Sequence, residues 1–107
     1  MEHINRIEIL GHIGTVKVMD TASNKMARLS VATDYIYKTK DGSAIIETTW
    51  HNVVIWEGRG CNDVSQLSKG DIVHVTGRLR TQSYVGMDGE KRYFTEIMAN
   101  GVERLQE

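Results

Sequence analysis

Trp50 and Trp56 stand six residues apart in a run rich in β-branched residues. On an extended strand an even spacing puts both rings on one face. Tyr84 stands just past a stretch that carries Arg78 and Arg80. Tyr35 and Tyr37 neighbour Lys38 and Lys40, and Tyr93 and Phe94 follow Lys91 and Arg92. Flat rings interleaved with cations suit unpaired nucleic acid. Bases stack on the rings at about 1–3 kcal/mol each, and phosphates follow the cations. Tyr37 has polar neighbours, which points to an exposed ring. Phe94 is expected in the core. For the tryptophans both faces are mixed, with Thr49, His51, Val53 and Ile55 on one and Trp50, Asn52, Val54 and Trp56 on the other. Periodicity therefore leaves open which face is inside. Arg78 and Arg80 could be ordinary solvated charges, and Lys38 and Lys40 could simply decorate a hairpin tip.

Other site chemistry is absent from the spacing. His3, His12, His51 and His74 are scattered, and Cys61 is the only cysteine. No paired-cysteine or His-x-x-x-His pattern offers a metal site. No catalytic constellation stands out, so an enzyme is not expected and no cofactor is implied. The formal net charge is −1, with 13 Lys and Arg against 14 Asp and Glu. That leans against a nucleic-acid binder, which usually carries a basic excess. The field in a groove can still differ from the sum, provided the cations gather in one place.

The elements that must position these side chains read mostly as strands. The chain has 107 residues and is expected to be one domain, 1–107. Ile4–Leu10 alternates, Gly11-His12-Ile13-Gly14 interrupts, and Thr15–Met19 resumes, which suggests one long strand bent at glycine. Lys25–Thr33 is a second strand, with Leu29, Val31 and Thr33 on one face and Arg28 and Ser30 on the other. Asp34–Ser43 is polar and reads as the tip of a long hairpin, and Ile45–Trp56 is the third strand. Cys61–Ser68 is expected to form a short helix through Val64 and Leu67, stopped at Gly70. Ile72–Thr81 is the fourth strand, with Val73, Val75 and Leu79 facing in and His74, Thr76, Arg78 and Arg80 facing out. Met87–Glu90 is a turn before a last strand, Arg92–Met98, weakly continued by Val102 and Leu105. Three strands, a short helix and two strands is the order of an all-β OB-fold, a five-stranded Greek-key barrel. A lone cysteine, no charged-then-apolar leader pattern and no apolar run of roughly 18–20 residues suggest a cytoplasmic protein.

On these motifs the sequence resembles the bacterial single-stranded DNA-binding protein family from Ile4 to about Met98. Asn5 to Gly14 is similar to the family's Asn-x-x-x-Leu-x-Gly-x-x-Gly start, and Leu29-Ser30-Val31-Ala32-Thr33 to its second strand. Trp50-His51-Asn52-Val53-Val54 is similar to its Trp-His-x-Val-Val motif. Lys69-Gly70, Val73 to Tyr84, Asp88-Gly89 and Arg92 to Ile97 resemble the fourth strand and the last hairpin. The resemblance implies base stacking on Tyr37, Trp50, Trp56 and Tyr84, subunit contacts at His51, and a homotetramer. It implies binding and protection of single-stranded DNA in replication, recombination and repair. The sequence ends at Glu103–Glu107 without the family's glycine-rich linker and acidic tip. Recruitment of replication and repair proteins through that tip is therefore not expected of this stretch. A primosome-type OB-fold adaptor, working mainly through protein contacts, has the same architecture. RNA binding is open to any stacking surface.

Overall fold

A computed structural model describes residues 1–61 and 63–105. It contains five strands: β1 (Ile7–Asp20), β2 (Lys25–Lys38), β3 (Ala44–Trp56), β4 (Ile72–Val85) and β5 (Lys91–Leu105). They close into a barrel in the order β1-β2-β3-β5-β4. All pairings are antiparallel except β3 with β5, where Val53 faces Ile97 and Val54 faces Met98. This is the five-stranded OB-fold barrel that the strand order implied. Among the described residues the expected helix shrinks to one 3-10 turn, Val64–Gln66. The Asp63 side chain caps it by accepting from the Ser65 backbone N–H. Position 62, within the expected helix, lies outside the described residues.

β1 serves two neighbours. Its first half, Ile7–His12, pairs with β4, and its second half, His12–Asp20, pairs with β2. The register slips between Ile13 and Thr15, so the bend sits at Gly14. Gly11 lies against the Ala32 carbonyl, where a Cβ would overlap backbone. The interior is filled by alternating side chains, among them Ile13, Leu29, Val31, Val53, Ile55, Val73, Val75 and Ile97. Each such side chain contributes about 1.5–3 kcal/mol on burial.

The strands run longer than their apolar stretches. β2 and β3 continue as a two-stranded arm, and only Thr39–Ser43 turns. β4 and β5 likewise form an arm out to Val85 and Lys91. Ladder hydrogen bonds carry both arms, so polar segments that alternate poorly still extend. Leu79 shows the consequence. It keeps the inward parity of Val73 and Val75, yet it is 45% exposed because β4 is leaving the barrel there. The expected core position is thus corrected to a partly exposed one. Phe94 is corrected too. It is half-buried outside the core and packs against Tyr84, with ring centroids 5.8 Å apart.

At the first arm's turn, Asp41 accepts from the Thr39 hydroxyl and from the Ser43 N–H. These bonds, the Thr39 one foremost, favour the ionised carboxylate and lower its pKa from 3.8 to about 2. A depressed carboxylate stabilises the fold above its unfolded pKa and loses that contribution as pH falls through the folded value. The turn should hold its geometry down to about pH 4 and loosen towards pH 2. An NMR titration of the Asp41 carboxyl should give a midpoint well below that of an unstructured peptide.

Candidate nucleic-acid interface

Alternation along β3 settles which face is inside. Val53 and Ile55 belong to the barrel core while Val54, also buried, lies outside it, so Asn52, Trp50 and Trp56 are on the outward face. The register pairs Trp50 with Ala32, Asn52 with Ser30, Val54 with Arg28 and Trp56 with Met26. On β4 and β5, Arg80 faces Glu96, Gln82 faces Phe94 and Tyr84 faces Arg92. A groove of about 480 Å³ opens between these two surfaces. Thr15 and Lys17 of β1, Arg28 and Ser30 of β2, and Asn52 and Val54 of β3 form one side. Tyr84, Phe94 and Glu96 form the other.

Trp50 sits at one end. Its ring lies over Gly14, with Thr15, Ser30 and Lys69 around it, and the residue is 60% exposed. Only a glycine fits beneath it, since a Cβ at position 14 would overlap the ring. A Gly14→Ala variant should tilt the indole off its rotamer at about 0.5–1.5 kcal/mol. In a Trp56→Phe background the remaining emission should shift measurably while the far-UV spectrum stays unchanged.

Trp56 sits at the other end, half-buried, in a pocket with Asn5, Arg6, Arg59, Arg78 and Met98. Met98 pairs with both Arg78 and Val54, which joins this pocket to the groove. Asn5 ties the N-terminal segment there, bonding the Leu79 backbone on both its N–H and its carbonyl.

The predicted residues therefore separate into groups. Trp50, Trp56 and Tyr84 share one continuous outer face, with Arg78, Arg80 and Arg92 on the same side of the β4–β5 ribbon. Lys38, by alternation, is on Trp50's face of the first arm. Tyr37 is on the opposite face of that arm, beside Tyr35 at 6.1 Å between centroids. His51 points away from the groove and shares a hydrogen bond with the Thr33 hydroxyl at 2.9 Å.

The cations differ in availability. Arg78 and Lys38 meet no carboxylate among the described residues. Arg92 is bound to Asp88 at 2.8 Å. Arg80 is bound to Glu96 through Nε at 3.1 Å and Nη2 at 2.5 Å. Lys17, Arg28, Lys69, Arg6 and Arg59 were not singled out by the sequence. Together with Arg78, these are six of the 13 Lys and Arg, and Glu96 is the one carboxylate beside them in the groove and its two end pockets. A net charge of −1 thus coexists with a basic track. Strand parity could have found Arg28, already on the outward face with Ser30, and its β1 partner Lys17; Arg6, Arg59 and Lys69 lie outside the strands and carry no such signal. The cysteine adds no chemistry: burial pushes the Cys61 thiol up, away from the reactive thiolate.

The model of the single-strand binding protein family matches residues 4–105. The chain belongs to the single-strand binding protein family. The family is one of non-catalytic DNA-binding proteins, in line with the expectation that the chain is not an enzyme. A single-stranded DNA-binding protein of Xanthomonas axonopodis pv. citri is 36% identical over 104 residues, covering 95% of this chain and 58% of the relative. Single-stranded DNA-binding protein 1 of Xylella fastidiosa (strain 9a5c) is 33% identical, covering 98% and 79%. The chain thus spans little more than half the length of the Xanthomonas relative. Among solved structures, the Plasmodium falciparum SSB complex with single-stranded DNA superposes with a TM-score of 0.84 at 23% identity, over 99% of this chain and 98% of that one. A small single-stranded DNA-binding protein from Streptomyces coelicolor gives 0.73 at 24%, over 97% and 95%. These likenesses establish the barrel.

Proposed function

We propose that this member of the single-strand binding family holds single-stranded DNA along the outer face from Trp50, past Tyr84, to Trp56. One observation carries the reading: three exposed or half-exposed rings and six cations share a single face of an otherwise slightly acidic protein. Rings accept any base, and cations accept any phosphate, so binding is sequence-tolerant. Arg78, Lys38 and the groove cations neutralise phosphates. Arg80 and Arg92 contribute through the pairs they form with Glu96 and Asp88. The task such binding serves is protection of exposed strands during replication, recombination and repair, in the cytoplasm.

Anisotropy competition tests this. Unlabelled mixed-sequence oligomers should displace labelled oligo(dT) nearly as well as oligo(dT) does. Duplex of the same length should fail to compete. Preference for duplex over single strand would overturn the reading.

Tyr37 belongs to a second contact. Because it faces away from Trp50, only a strand long enough to wrap the first arm reaches it. Tyr37→Ala should leave a short oligo(dT) almost unaffected and weaken a long one by about 1–3 kcal/mol. Equal loss on both lengths would place Tyr37 in the main track.

The first arm also favours assembly. Tyr35, Ile36 and Ile46 are each more than 60% exposed, on both faces of the ribbon. Such apolar exposure suits burial against other copies, and we assign His51, at the arm's base, to the subunit contact. A homotetramer would scatter light as four times 12.1 kDa; a monomeric mass would contradict it.

A further inference from the structure

Glu96 is the one buried charged residue among the described residues, at 1% exposed. It lies not in the apolar interior but under the floor of the groove. A buried carboxylate is costly unless donors satisfy it. Here three side chains do so. Glu96 Oε1 accepts from Arg80 Nε and Nη2 and from Gln82 Nε2, the last at 2.9 Å. Glu96 Oε2 accepts from Arg28 Nη1 at 3.3 Å. Both arginines keep part of their surface exposed, at 47% and 35% of the side chain, and Arg28 lines the groove itself while Arg80 lies on the same side of the β4–β5 ribbon as Tyr84. Arg80 is held by two bonds to one oxygen, and Arg28 by a single longer one.

We infer that Glu96 is a positioning residue that sets the charge of the groove: it aligns Arg28 and Arg80 towards the strand while cancelling one of their two charges. Unopposed, two guanidiniums this close would repel and scatter. Pinned by one carboxylate, they are preorganised, but together they present about one positive charge to the phosphates. The buried carboxylate engages guanidinium donors that a phosphate would otherwise take up. The inference rests on the single-strand reading above.

The charge count makes it measurable. Affinity for single strands falls with salt at a logarithmic slope of about −0.7 per phosphate neutralised. Glu96→Gln keeps an oxygen for Arg80 and Gln82 but turns an N–H₂ towards Arg28, which releases that arginine. The salt slope should steepen by about 0.7, an extra loss of roughly 2.5-fold between 50 and 200 mM salt. Arg28→Gln should make the slope shallower by about 0.7, and the double variant Arg28→Gln/Glu96→Gln should return it to the wild-type value. A purely structural Glu96 would change affinity or melting without changing the slope. If Glu96→Gln alone does not fold, the same step is read between Arg28→Gln and the double variant, where Arg80 is the one guanidinium left and has no second one to repel it. An unchanged slope on replacing Glu96, in either background, overturns the inference. Failure of the wild-type protein to bind oligo(dT) at all would instead sink the single-strand reading.

Discussion

Trp50→Ala should weaken binding of a short oligo(dT) by about 1–3 kcal/mol, roughly 5- to 150-fold in Kd. The indole is mostly exposed, its six-membered ring approaches Gly14, and it shares a pocket with Lys69 and Ser30. Part of the ring is supported by protein at Gly14, and more than half of the residue is open to a base. Support from below lowers the cost of ordering the ring on binding, which places the effect towards the upper part of that range. Stability should hardly move, because Trp50 is outside the core. Tyr93→Ala is the matched control. Its ring is as exposed as that of Trp50, but it faces away from Tyr84 on the β4–β5 ribbon. It should cost little binding. Equal losses from both variants would mean that exposure rather than placement on the track decides binding. Equilibrium titration by anisotropy at one fixed salt concentration makes the comparison.

Gly11→Ala should be the most destabilising single methyl in the chain's first strand. A Cβ there would sit far inside van der Waals contact distance of the Ala32 carbonyl oxygen and press on the Val31 side chain. Both neighbours belong to a barrel wall, so relief requires β1 and β2 to part where they begin to pair. Overpacking of this kind costs typically 1–3 kcal/mol and occasionally more. We expect about 3 kcal/mol, or a fall in Tm of roughly 12–24 °C for a domain near this size. Gly42→Ala provides the contrast. Its φ is +88° but nothing lies within 4 Å of the added methyl. Its cost should be limited to the left-handed backbone, about 1–2 kcal/mol. Thermal melts of the two variants check the ordering; a smaller loss at Gly11 than at Gly42 would contradict the account of the bend.

Much of this was legible because strand alternation and glycine placement are local. The bend in β1 followed from Gly11 and Gly14 interrupting one apolar pattern, and the barrel followed from the order of elements. What parity alone could not decide was the inside of β3, because His51 and Asn52 leave both faces mixed. Burial decided it only once Val53 and Ile55 met residues from distant strands, such as Val31 and Ile97. Leu79 and Phe94 were misjudged for a related reason. Both are apolar and correctly alternating, but β4 and β5 leave the barrel as an arm, so the alternation outlasts the core. Tyr37 and Trp50 look equivalent as exposed aromatics until the unbroken β2–β3 register sets them on opposite faces. Glu96 was hidden because its partners, Arg28 and Arg80, come from two other strands 68 and 16 residues away. A single glutamate in an alternating strand carries no mark of burial by itself.

The central claim is that the tryptophan-bearing outer face is where a strand lies. Tryptophan emission of the wild-type protein, titrated with oligo(dT) at low salt and micromolar concentration, tests it most directly. Bases stacked on Trp50, with a strand passing Trp56, should quench the emission in a saturable manner, and added salt should reverse it. Emission that stays unchanged to saturation would contradict the account.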